Sequence, residues 1–171
     1  AADDGADISH GLECGAALAF ERWSGFVEPL KNVKRLVVAD GLLLRKLREW
    51  LPQVRCVSLG EALSALEAVR ARLRATDLYV IEPRAYHADY ERQVKRYDAL
   101  RIARGCAMNM DLQRIAIPAS TRNLRQAEGR EESNDDAHAR WILEGRSVRR
   151  IVVESYDDAV TIGQSFQFPD I

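Results

Sequence analysis

Short runs of β-branched residues alternate along this chain with longer stretches in which apolar residues recur every three or four positions. That alternation leaves few folds open. A run such as VKRLVVA (33–39) has little polar face and needs cover on both sides, which helices packed on a parallel sheet supply. Similar runs are VRCVSL (54–59), DLYVIEP (77–83, closed by Pro83), QRIAIP (113–118) and RRIVVES (149–155). Between them, 16–31 is predicted helical, and 41–51 carries Leu43, Leu44, Leu47, Trp50 and Leu51 at helical spacing before Pro52 ends it. Residues 60–75 repeat Leu63, Leu66, Val69 and Leu73 as one amphipathic helix. Residues 87–105 form a long charged helix with Tyr90, Val94, Tyr97 and Leu100 in register, stopped by Gly105. The polar stretch 120–135 reads as a loop, 135–145 as a helix capped by Asp135, and YDDAVTIGQS as a last short helix. Right-handed crossovers between such strands predict an α/β fold, a Rossmann-like three-layer sandwich with a mostly parallel sheet of about five strands.

At 171 residues, 47% hydrophobic and 30% charged, the chain fits one globular domain over 1–171. Its 25 basic and 26 acidic residues nearly cancel, so no overall field draws it to nucleic acid. No apolar run approaches the roughly 18 to 20 residues of a membrane span, and AADDGADISHG lacks the regions of a signal peptide; the expected location is the cytoplasm. Cys14, Cys56 and Cys106 form no CxxC pair, which points to free thiols and to no metal site. No GxGxxG or GxxxxGK[ST] occurs, so the architecture comes without a phosphate-cradling loop.

VKRLVVAD (33–40) and VRRIVVES (148–155) share their pattern, and their flanks correspond too. LECG ends 18 positions before the first and QAEG 19 before the second. Two pseudo-repeated halves, about 10–118 and about 119–171, are therefore expected within the one domain. Loops following parallel strands converge at one sheet edge, where α/β proteins place their sites. The segments to inspect are ADGLLL, EPRAYH and ESYDDA.

This layout resembles the cysteine-rich, CCG-type domain of the heterodisulfide reductase B subunit, the lactate and glycolate oxidase iron–sulfur subunits and the anaerobic glycerol-3-phosphate dehydrogenase C subunit. ECG (13–15) and AEG (127–129) stand at its two CCG positions, and VVADGLLLRKL looks like its strand-and-helix segment, with Gly41 and Leu44 where cysteines fall. Ile81, Glu82, Pro83 and Arg84 stand for His, Asp, Pro and Cys of its HDPC segment, while Tyr156 and Ala159 occupy the last ligand places. The resemblance covers roughly 10–165 and implies an iron–sulfur or FAD-linked oxidoreductase. Clusters need about four thiolates each, and only Cys14 survives in position. The resemblance thus implies a degenerate domain, a structural or partner-docking module of an electron-transfer assembly that binds no cofactor by itself. FAD or an iron–sulfur cluster would belong to another subunit or a fused region.

Asp40, Glu82, Arg84, His87 and Glu154 sit at predicted strand ends and mix acids, a base and an imidazole, the makings of a ligand-binding turn. The alternative function they suggest is an independent small-molecule-binding or regulatory α/β domain. Cys14, four residues after His10, is a weak candidate nucleophile for a thiol enzyme, with Gly11 and Gly15 speaking against a regular helix there. The basic residues of 90–104 alternate with acids and read as an ion-paired face, and Asp157 and Asp158 as first-turn acids.

Overall fold

The computed structural model describes residues 3–109, 147–154 and position 159. Helices α1 (Ala6–Glu13) and α2 (Phe20–Val27), the latter followed by a 3₁₀ turn at Glu28–Leu30, precede strand β1 (Arg35–Val38). Then come α3 (Gly41–Trp50), β2 (Arg55–Ser58), α4 (Leu59–Ser64), α5 (Glu67–Arg70), β3 (Asp77–Val80), α6 (Pro83–Ala88), α7 (Tyr90–Arg104), β4 (Ala107–Met108) and β5 (Arg150–Val153). Every described strand pairing is parallel: β1 with β2, and β3 with β4 on one side and β5 on the other. The molecule is thus mixed α/β, with short parallel strands in two small sheets.

Local chemistry explains the elements that hold the site. The Asp40 carboxylate caps α3, accepting from the Leu43 N–H at 2.8 Å, and the helix buries Leu43, Leu44 and Leu47. Ser58 caps α4 in the same way through the Glu61 N–H at 3.0 Å. Strand β3 is buried at every residue. Leu78 and Val80 join Ile151 in one apolar cluster, while Tyr79 and Ile81 join Tyr86, Tyr97, Leu100 and Met108 in another, so its two faces lie in different cores. Asp77, buried at the start of β3, is gripped by the Arg150 guanidinium at 2.6 and 3.1 Å, which fixes β5 beside it. The bounds of β1 and β5 fall at the same positions of the two related octets.

Several expectations change. Gly11 does not prevent a regular helix; α1 runs through it and Cys14 is its C-cap. The single helix expected over 60–75 is α4 and α5, because Leu66 is extended (φ −79°, ψ 124°) and Arg70 turns back to donate to the carbonyls of Ser64 and Ala65. Leu66 is therefore exposed while Leu73 reaches the core. Pro83 closes the extended run and also opens α6, a role for which its fixed φ suits it. Asp89 (φ −149°, ψ 55°) separates α6 from α7, and Gly105 ends α7 with φ 71°. The segments 113–118, 120–135 and 135–145, the second glycine segment and Tyr156 lie outside the described residues. No helix among the described residues is long and apolar enough to cross a membrane.

Candidate functional site

Three segments far apart in sequence meet at Arg84. Its Nη2 lies 2.9 Å from Asp40 Oδ2, its Nε 3.2 Å from Glu82 Oε1 and its Nη1 3.5 Å from Glu13 Oε1. Asp40 ends the β1 run, Glu82 is the N-cap of α6 and also accepts from the Ala85 N–H, and Glu13 ends α1 next to Cys14. Burial opposes the guanidinium's charge, but the Asp40, Glu82 and Glu13 carboxylates outweigh it and hold its pKa above the ordinary value. The Glu82 pKa is raised too, but by burial, which pushes its carboxyl up against the Ala85 N–H and the Arg84 charge.

Glu154 forms the second focus. Its Oε1 accepts from the hydroxyls of Tyr79 (2.9 Å) and Tyr97, and its Oε2 from the Glu82 N–H (3.0 Å). One carboxyl so ties the end of β5 to β3, to α7 and to the turn that opens α6. Burial pushes its pKa up to about 7, against the bonds from Tyr97, the Glu82 N–H and Tyr79, with the Glu82 charge adding to the rise. Burial, reinforced by the Glu154 charge, raises both tyrosines and keeps them donors. Next door, buried Glu61 binds Arg92 and, at 3.4 Å, Arg96.

Of the residues singled out by sequence, Asp40, Glu82 and Arg84 are joined directly, and Glu154 joins them through the Glu82 backbone. His87 is exposed and stacks on Tyr90, its ring 6.4 Å from the tyrosine's. Cys14 is exposed with Sγ 3.9 Å from His10 Nε2. Glu13, Tyr79 and Tyr97 were not expected at a site. The tyrosines carry core spacing, and only their hydroxyls' shared acceptor, 57 and 75 positions away, distinguishes them. The charged face of α7 does pair with acids, with Arg101 on Asp98 and Arg104 on Glu67.

The arrangement uses its polar groups on one another. Glu154 is 4% exposed, and a Cβ on Gly60 would stand 2.1 Å from its Oε1, so a substrate has no approach from that side. Asp40 also borders a groove of about 460 Å³ whose other lining residues lie outside this cluster. Among the described residues, no group of three or more His, Cys, Asp or Glu side chains is placed to hold a metal ion. The places where the resemblance puts thiolates hold Gly41, Leu44, Arg84 and Ala159 beside the single Cys14, a set that does not fit an iron–sulfur cluster.

Removing Arg84 would leave Glu82 and Glu13 largely buried without their counter-charge. Arg84→Ala is expected to cost about 2 kcal/mol, discounted from a fully buried pair because the guanidinium side chain is 30% exposed. Arg84→Lys should recover less than half of that, since an ammonium cannot reach three acceptors as a fork does. Urea unfolding of the three proteins tests this, and equal midpoints would refute it. No protein-family model matches the chain, and comparison with curated proteins and with solved structures returned no similar protein.

Proposed function

We propose that this chain is a degenerate cysteine-rich domain of an iron–sulfur or FAD-linked oxidoreductase, serving as a structural or partner-docking module of an electron-transfer assembly in a reducing, cytoplasmic compartment. The observation that carries the reading is the Arg84 ion-pair centre. Arg84 stands in the place of the family's HDPC cysteine, and its carboxylate partners Glu13 and Asp40 come from the segments that resemble the first CCG and the strand-and-helix segment. A guanidinium held by carboxylates joins the segments that a cluster would join in the family. Electrostatic cross-linking has taken over from metal coordination, and the redox chemistry falls to other subunits.

We take the two small sheets as parts of one Rossmann-like three-layer sandwich built of two related halves. This is supported by the ends of β1 and β3 meeting at Arg84, by Gly60 after β2 packing on Glu154 after β5, and by the matched bounds of β1 and β5.

Iron and sulfide assays with visible absorption spectra, on protein purified anaerobically and after reconstitution with iron and sulfide, test the loss of ligands. The expected result is no stoichiometric iron and no charge-transfer band; one cluster per chain would refute it. Affinity purification of the full chain from its native cells tests the docking role. Flavin or iron–sulfur absorption is expected in the eluate, and its absence would count against an electron-transfer partner.

A further inference from the structure

Strand β1 has a single strand neighbour among the described residues, β2. Along it runs the groove of about 460 Å³, bordered in succession by Leu36, Val37, Val38, Ala39 and Asp40. Consecutive residues point to opposite faces of a strand, so a groove that touches all of them follows the strand's edge. Val37 is 46% exposed, unusual for a large apolar residue at the middle of a strand. Edges of this kind are commonly blunted with charge. Here the charges sit at the ends and the stretch from Leu36 to Ala39 carries none.

The two ends are of opposite sign. Lys34 and Arg35, at the start, are exposed and have no ion-pair partner among the described residues. At the other end lies Asp40, which borders the same groove. There one base, Arg84, serves three acids, Asp40, Glu82 and Glu13, so that end keeps an acidic excess.

We propose that the β1 edge is a self-association surface, pairing antiparallel with β1 of a second copy across a two-fold axis at Val37. A strand that is basic at one end and acidic at the other is self-complementary in that arrangement alone, because a two-fold interface places each patch against its own copy reversed. With the axis at Val37, Val37 faces Val37 of the partner subunit on the exposed side of the strand. Leu36 faces Val38 of the partner subunit, Arg35 faces Ala39 of the partner subunit, and Lys34 faces Asp40 of the partner subunit. This one pairing joins the β1–β2 sheets of both copies into one four-stranded sheet.

Sedimentation velocity on the full chain, from micromolar to millimolar concentration, tests this with Val37→Lys and Val37→Asp. Wild type is expected to show a concentration-dependent dimer that weakens with salt. Each substitution sets like charges against each other on the axis and should weaken the dimer on the order of a hundredfold, with circular dichroism unchanged. An equimolar mixture of the two variants should dimerise again as a heterodimer, which a surface for an unrelated partner would not do. A wild-type chain that stays monomeric throughout, a dimer indifferent to both substitutions, or variants that do not rescue one another would each overturn the proposal.

Discussion

Gly41→Ala is expected to lower the unfolding free energy by about 3 kcal/mol, the upper range for forcing atoms into a filled site. A Cβ at this position would stand 2.0 Å from the Ala85 backbone nitrogen and 2.3 Å from the Arg84 carbonyl carbon. Both are backbone atoms of the first turn of α6, so no rotamer change relieves the overlap; α3 and α6 must separate, loosening the Asp40–Arg84 contact as they do. Gly25→Ala is the matched control. It too lies in a helix, α2, but a Cβ there meets nothing within 4 Å, so the change should stabilise by roughly 0.5 to 1 kcal/mol through helix propensity. Urea unfolding of both variants measures the contrast, and a Gly41→Ala midpoint at or above wild type would show that the two helices do not pack as described. The result also bears on function. Gly41 occupies one of the places where the resembling family has cysteine, so Gly41→Cys should destabilise like alanine and bind no iron.

Between about pH 5 and pH 8 the protein should become less stable as pH rises, by about 3 kcal/mol from Glu154 alone. The folded-state pKa of this carboxyl, about 7, is raised from 4.5; at 1.36 kcal/mol per unit that sets the size. Between those values the folded state binds more protons than the unfolded one, so stability is fully present below about 4.5 and is lost as pH climbs through about 7. Glu82, also raised, acts in the same direction. The exposed carboxylates held low by arginine or lysine partners, Asp3, Asp7, Glu49 and Glu67, act below the ordinary carboxylate range and leave this window untouched. Glu154→Gln removes the titration. It also turns an amide towards the Glu82 N–H, so the variant should be the weaker protein near pH 5 and should gain on wild type by about 3 kcal/mol by pH 8. Urea titrations at intervals across that range give the difference directly. A difference that does not change with pH would mean that Glu154 is ionised throughout.

Much of the fold was legible in the chain. β1, α3, β2, β3, β5 and the C-terminal end of α7 lie where apolar periodicity and the stop at Gly105 put them, because each is a local pattern with a local boundary signal. What misled was local as well. The spacing of Leu63, Leu66, Val69 and Leu73 is that of one helix, yet Arg70 satisfies the carbonyls at the end of α4 and so makes the break affordable. Gly11 weakens a helix in isolation, but Ile8 packs into the core beside Phe26 and Val27 and holds α1 together. At the site, strand-end position pointed to Asp40, Glu82, Arg84 and Glu154, and those four do connect. His87 shares the same segment but lies exposed, stacked on Tyr90.

The sequence by itself determined the alternation of strand and helix over much of the chain, the near-neutral charge and the polar strand ends, because periodicity, caps and composition are properties of neighbouring residues. Only the tertiary structure decided what those ends do. A strand-end arginine can meet a ligand, water or an acid, and the packing of α3 against α6 through Gly41 gives Arg84 the acids Asp40, Glu82 and Glu13. Glu154 became a buried carboxyl with a pKa of about 7 because burial, with Gly60 packed on it, outweighs the hydroxyls of Tyr79 and Tyr97 that hold its charged form. Burial and long-range pairing set the charge state of a side chain, and neither is written in the residues beside it.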